Sequence, residues 1–367
     1  MSAQPATLTA ADMNPGRIVE TFSPAWFAAV MGTAVVPLAI AFTGGAWVRP
    51  VAGLFTVLAL ALFLLSIGPW SIRWFRFPRA VHHDLEHPVA ASFLPTMPIA
   101  LHVLALDFLK YPDLLLPEAV SHTLALVLWT MGTIGIYVLG WVVLLRVYRH
   151  AQIEVKHANF GWFIPPVSKL VIPVAGLELA GHFPGAQDLL VGVSLASLGV
   201  GFFLFVFVGS AVYHRYKFAP LPPGRLAATF FIGMAPTAII AIDLTKLLHL
   251  VRHQPVLDLT PALLAPLVKL LVVVNWGFAA WWFIMGMILM VHYLRAGDLP
   301  FAMSWWAFTF PSGAFAVATG VAWQLSGWAW LGGFYWVVLV WLLGIWTVVF
   351  LRTVGGMLSR KIFVPAH

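Results

Sequence analysis

Charged residues divide this chain into apolar runs long enough to cross a bilayer, and that pattern restricts the fold more than any single motif. A scan for runs of about 20 apolar residues gives ten, at 24–43, 51–72, 90–109, 121–146, 163–181, 187–213, 227–249, 262–292, 303–325 and 328–351. Hydrocarbon offers peptide groups no water to bond, so runs of this length must satisfy themselves as helices. Charged residues make up only 9% of the chain and hydrophobic ones 61%, against about 25% charged in soluble domains. The expected fold class is therefore an all-α integral membrane protein. Its 18 Trp and 28 Phe suit interfacial belts and bulky lipid-facing surfaces. There is no cysteine, which excludes disulfides, thiolate metal sites and cysteine nucleophiles. The first 20 residues, with Asp12, Arg17 and Glu20, contain no apolar core followed by a small-residue cleavage site, so no signal peptide is expected.

The basic residues set the topology, because short cytoplasmic loops collect Lys and Arg. With the N-terminus inside, the cytoplasmic side holds Arg17, Arg73, Arg76, Arg79, Arg146, Arg149, Lys156, Arg215, Lys217, Arg225, Arg295, Arg352, Arg360 and Lys361. The other side holds Arg49, Lys110, Lys246 and Arg252. That bias predicts an even number of spans with both termini inside: a tail over 1–22, a transmembrane domain over 23–355 and a second tail over 356–367. The net charge of +7 is mostly this signal. Basic residues dispersed through short loops give no nucleic-acid-binding surface.

Every odd-numbered run carries a proline near its middle: Pro37, Pro95, Pro173, Pro236 and Pro311. A proline inside a helix removes a hydrogen bond and clashes with the preceding turn, and in lipid it persists only where protein or a water-filled cavity satisfies the freed carbonyls. Five kinked helices alternating with five straight ones suggest an inner ring inside an outer one. The odd runs all cross in the same direction, so aligning them on their prolines superposes equivalent depths. The residues just past each proline are small or slender, including Ala39, Thr96, Gly176, Ala238 and Gly313; such residues let helices approach closely or leave room for a passage. The residues just before are Val36, Leu94, Ile172, Ala235 and Phe310. If these face a common axis, four aliphatic side chains form a dry collar and the ring of Phe310 crosses it, a hydrophobic constriction of the kind that gates by excluding water.

The stretches SPAWFAAVMGTAVVP (Ser23 to Pro37), HPVAASFLPT (His87 to Thr96), WFIPPVSKLVIPVAG (Trp162 to Gly176) and SWWAFTFPSGAFAVAT (Ser304 to Thr319) resemble the tellurite-resistance/C4-dicarboxylate transporter (TDT) family. That family comprises TehA-like bacterial tellurite-resistance proteins, fungal malate and sulfite transporters and plant guard-cell slow anion channels, and the resemblance runs from about residue 20 to 355. It implies ten transmembrane helices as five hairpins in a quasi-five-fold ring, a central pore lined by proline-kinked inner helices, homotrimers, and a phenylalanine on the ninth helix that blocks the pore. By position in SWWAFTFP that phenylalanine is Phe310, with Phe308 the nearest alternative. The expected partners are small inorganic or organic anions and the lipid bilayer, with no cofactor, in a plasma membrane of the bacterial inner-membrane type.

Ionisable residues inside the runs default to functional hypotheses. Lys169, one turn before Pro173, is a candidate for drawing anions to the inner mouth, or it snorkels to the surface. Glu178 and Asp243 are candidates for proton coupling. His102 stands at the same offset past Pro95 as Asp243 past Pro236, which allows a pairing between them, and Lys246 and His182 are other possible partners near that end. HHDLEH (His82 to His87) looks like a metal site, and the pairs His83/His87 and His249/His253 share helical spacing, but topology puts the pairs on opposite sides. The bland reading is a polar loop, with Glu86-His87-Pro88 as the entry to the third run. No hydrolase elbow, Walker loop or dinucleotide fingerprint is present. Three readings follow: a passive anion channel gated by Phe310, a proton-linked carrier or exporter of dicarboxylate, sulfite or tellurite-like oxyanions, and a histidine-dependent membrane oxidoreductase.

Overall fold

The computed structural model describes residues 9–87, 89–149, 154 and 157–364. Lys156 of the topology pattern, Pro88 of the HPVAAS motif and the tail residues 1–8 and 365–367 lie outside the described residues. All regular structure among the described residues is helical. The long helices are α1 (Phe27–Ile40), α2 (Val48–Arg76), α3 (Thr96–Lys110), α4 (Glu118–Arg149), α5 (Ile164–His182), α6 (Gln187–Phe218), α7 (Ala235–His253), α8 (Pro261–Arg295), α9 (Thr309–Ser326) and α10 (Ala329–Leu358).

Among the described residues, eight helical segments are long and apolar enough to cross a membrane, those containing α2 to α8 and α10. The apolar helix Pro24–Ile40, which contains α1, is shorter. α9 has 18 residues and carries Ser312, Gly313, Thr319 and Gly320 along its length, which lower its hydropathy. Helix ends follow local chemistry. The Thr260 hydroxyl caps α8 by accepting from Leu263 N, with Pro261 in the first turn. α9 stops at Gly327, whose φ of 73° is a left-handed conformation that glycine adopts without a steric penalty.

The prolines divide into two kinds, which corrects the expectation of five mid-helix kinks. Pro37 and Pro173 do lie inside α1 and α5. Pro95 instead caps the start of α3, after the short helix Ala90–Phe93. Pro236 stands in the first turn of α7, preceded by the 3-10 helix Gly224–Met234, and Pro311 is the third residue of α9, preceded by the 3-10 helix Met303–Phe308. In the first turn a backbone N–H has no intrahelical acceptor, so losing it costs nothing. These three prolines mark where a tighter helix passes into an α-helix.

Burial separates odd from even helices. In the most apolar stretches of α3, α5 and α7, 89–94% of residues are buried, against 22–28% in α2, α4, α6, α8 and α10. Each odd helix packs on the even helix that follows it, and the odd helices also pack on one another in the order α1, α3, α5, α7, α9, with α9 returning to α1. Close approach depends on small residues. A Cβ added at Gly313 of α9 would lie 2.3 Å from Val35 Cγ1 of α1, and one at Gly176 of α5 would lie 2.2 Å from Ser194 Oγ of α6. These two glycines past the prolines therefore serve helix contact.

Several tryptophans act as pins as well as interfacial residues. Even helices present ring donors to odd ones: Trp129 Nε1 to Ile172 O at 2.9 Å, Trp276 Nε1 to Thr319 Oγ1 at 3.0 Å, Trp341 Nε1 to Ser312 Oγ at 3.1 Å and Trp346 Nε1 to Thr33 Oγ1 at 3.2 Å. Tyr335 of α10 donates to Ala39 O of α1 at 2.6 Å. Each such bond contributes about 1 kcal/mol net. At the C-terminal end of α2, buried Arg73 pairs with Asp84 at 2.6 Å and donates to Glu20 O at 2.8 Å, which ties the segment before α1 to the short helix Pro78–Glu86.

Candidate functional site

All five odd helices contribute to one cavity of about 610 Å³. Its lining changes character along the helices. Toward their N-terminal halves and middles it is apolar, with Val35, Val103, Val171, Ile239, Ala314 and, at the start of α9, Phe310. Toward their C-terminal ends it carries Lys110, Glu178, His182, Lys246, His249 and His253.

Phe310 is the lining residue nearest the start of α9, and it is 8% exposed. Among the described residues its ring has no aromatic partner, whereas Phe308 packs edge-on against Phe231 at 5.0 Å and Trp305 at 5.8 Å. Two phenylalanines two residues apart thus have different surroundings: Phe308 is locked in an aromatic cluster and Phe310 faces the cavity.

The four aliphatic residues expected to surround Phe310 are placed differently. Val36, Leu94, Ile172 and Ala235 have no exposed surface and none lines the cavity. The register explains this. On α1 and α5 the cavity face falls two residues before the proline (Val35, Val171) and one after (Leu38, Val174), whereas on α7 and α9 it falls three after (Ile239, Ala314) and six after (Ile242, Val317). A helix turns about 100° per residue, so alignment on prolines does not fix direction. The interior prolines of α1 and α5 and the first-turn prolines of α7 and α9 sit at different angles to the cavity.

Glu178 of α5 pairs with Lys246 of α7, and both line the cavity. Lys110 and His182 lie close enough to Glu178 to interact with its charge. Lys169 does not line the cavity: it is buried, its Nζ donates to Ser168 Oγ at 3.3 Å, and it lies over Gly140 of α4. The pairing of His102 with Asp243 is not formed. His102 faces α4, with Nε2 3.5 Å from Thr133 Oγ1 and its ring edge-on to Trp129 at 6.4 Å. Asp243 is fully buried on α7, and among the described residues neither carboxyl oxygen has a hydrogen-bond partner. Equal offsets past Pro95 and Pro236 did not bring them together, because the two side chains leave their helices in different directions. Sequence reasoning passed over Asp107, a buried acid of α3 that accepts from Thr56 Oγ1 of α2 at 3.3 Å. Its signal was the one that singled out Asp243, an acid inside an apolar run.

The two histidine pairs remain apart, and among the described residues no three His, Cys, Asp or Glu side chains are placed to hold a metal ion. His249 and His253 line the cavity. His87 has a local role: its Nδ1 accepts from Ala90 N at 3.2 Å and Val89 N at 3.3 Å, capping the short helix that leads into α3. Burial, helped by neighbouring His83, holds the His87 imidazole below its usual pKa, consistent with an accepting ring nitrogen.

Comparison with known proteins gives one consistent result. A family model named SLAC1, described as voltage-dependent anion channel, matches residues 21–354. An uncharacterized transporter of Methanocaldococcus jannaschii is 30% identical, covering 94% of this chain and 96% of the relative. A sulfite efflux pump of Arthroderma otae is 22% identical over 94% of this chain and 93% of its own. An S-type anion channel of Arabidopsis thaliana is 23% identical, over 70% of this chain and 43% of its own.

Proposed function

The chain belongs to the SLAC1 family and transports anions across a membrane, and from that premise we propose that it is a passive channel whose gate is Phe310. In this reading the ten helices form five hairpins in a quasi-five-fold ring, the odd helices line the pore, and the 610 Å³ cavity is its outer vestibule. Both termini are cytoplasmic, in the plasma membrane, and the protein is a homotrimer with one pore per protomer.

The observation that carries the reading is Phe310 itself: a single ring without an aromatic partner, at the apolar end of a cavity shared by five helices. An anion entering the vestibule meets Lys110 and Lys246, sheds part of its hydration, and passes when the Phe310 ring rotates aside. Hydrophobic constrictions close by excluding water, and Val35, Val103, Val171 and Ile239 supply that apolar neck. Lys246 offsets the charge of Glu178, so Glu178 does not bar the path. The test is anion current through Phe310→Ala in a planar bilayer; no increase over the parent overturns the gate.

One observation favours a proton-linked carrier as second reading: the buried carboxyl of Asp243 has no hydrogen-bond partner among the described residues. Such a carrier must load and unload a proton in every cycle. Asp243→Asn keeps the shape and removes the proton site, so pH-dependent, saturable flux that disappears in this variant supports the carrier, and flux unaltered by the substitution supports the channel. Small oxyanions are the proposed cargo, sulfite and carboxylates among them.

A further inference from the structure

We propose that Lys246 and Lys110 form an oxyanion seat in the vestibule, and that Glu178 occupies this seat as a tethered competitor which an entering anion displaces. The inference rests on the anion-channel reading and names a binding step within it.

Lys110 of α3, Glu178 of α5 and Lys246 of α7 line the same cavity. Glu178 is within electrostatic reach of both ammonium groups and hydrogen-bonded to that of Lys246. A carboxylate held on an ammonium is what a carboxylate or sulfite anion would form there, so the chain's own side chain displays the chemistry of the seat. Two lysines facing one glutamate leave a net positive charge. Among the described residues no other acid lines the cavity, so an arriving anion faces no second repelling group.

The pair is also open enough to exchange. The Lys246 and Glu178 side chains are 30% and 22% exposed, and both line the cavity. A pair that is partly exposed is held less firmly than a buried one, so free anions can displace it; a dry pair would be locked. This fits conduction, which needs sites that bind and release. An untethered dianion would bind two lysines better than a monovalent halide, because attraction grows with charge.

The experiment uses the full chain in planar bilayers, in the Phe310→Ala background so that the gate does not limit entry. Malate, sulfite and chloride are added in turn on the vestibule side. Glu178→Gln is expected to lower the half-saturating malate and sulfite concentrations about two- to fivefold, the size of effect such pairs show, and to change chloride less. Lys246→Gln is expected to raise them. Glu178→Asp keeps the charge on a shorter arm and serves as the folding check, with an intermediate value expected. Half-saturation unchanged in Glu178→Gln overturns the seat while leaving the channel reading intact. Absence of anion current in Phe310→Ala overturns the channel reading and the seat together.

Discussion

Replacing Phe310 by alanine is the sharpest perturbation available, because its effect on conduction and its effect on folding are expected to separate. The ring is 8% exposed against the apolar end of the cavity. Burying a phenylalanine side chain is worth about 1.5–3 kcal/mol relative to leaving it in water. If that burial holds the gate shut, removing it shifts the open-to-closed ratio by about 10- to 150-fold, at tenfold per 1.4 kcal/mol. Macroscopic anion current per inserted protein should rise by that order. Thermal stability should fall by no more than about the same 1.5–3 kcal/mol, because the side chain borders an existing cavity and its loss enlarges that space without opening a new one in the core. Phe308→Ala is the contrasting control. Its ring is 1% exposed and packed between Phe231 and Trp305, so truncation should cost about 3–5 kcal/mol of stability and leave current per folded protein near the parent value. Equal currents in the parent and Phe310→Ala, or the same rise in Phe308→Ala, refute the reasoning.

Two further predictions concern the frame. Gly313→Ala would bring a Cβ to 2.3 Å from Val35 Cγ1; Val35 is β-branched and stiff, so α1 and α9 must separate, at about 1–3 kcal/mol. A melting temperature in detergent lowered by several degrees is expected, while Gly333→Ala, which meets open space, should leave it unchanged or raise it. His87 is held below its usual pKa by burial and by His83, so the folded state favours the neutral ring; its contribution is complete above the ordinary histidine pKa of about 6.5 and is lost as pH falls below that value. His87→Asn keeps a cap acceptor that does not titrate, so its melting temperature should track the parent at neutral pH and exceed it in acid; parallel curves throughout would dismiss the cap.

The helices were readable in the sequence and the direction of their side chains was not. The apolar runs located the helices, because hydrocarbon admits no other backbone for them. The odd-run prolines identified the buried set, and position in SWWAFTFP identified the phenylalanine at the end of the cavity. The collar failed because Val36 and Ile172 precede prolines inside helices, whereas Phe310 and Ala235 stand where 3-10 turns pass into α-helices. A sequence does not announce that transition, and one residue of phase changes the facing by about 100°. The His102 and Asp243 pairing failed on direction alone: both follow prolines at helix starts, yet His102 turns toward α4. Glu178 and Lys246 were within reach of sequence reasoning, since an acid and a base near the same end of neighbouring spans favour each other over lipid.

The frame also bears on what moves when the proposed gate opens. α9 carries Phe310 and is pinned on two sides: Trp341 of α10 donates to Ser312 and Trp276 of α8 donates to Thr319. Against α1 it is seated at glycine distance, with a Cβ at Gly32 falling 2.0 Å from Thr309 Oγ1 and one at Gly320 falling 2.5 Å from the Phe42 ring. α1 is in turn held by Trp346 at Thr33 and by Tyr335 at Ala39. Swinging α9 outward would break two such bonds at about 1 kcal/mol each and also forfeit the packing along its face. Rotating one ring costs only its own burial, about 1.5–3 kcal/mol. Side-chain rotation is the cheaper motion. Opening by ring rotation therefore leaves the helices in place, and a crosslink between α9 and α10 should not close the channel.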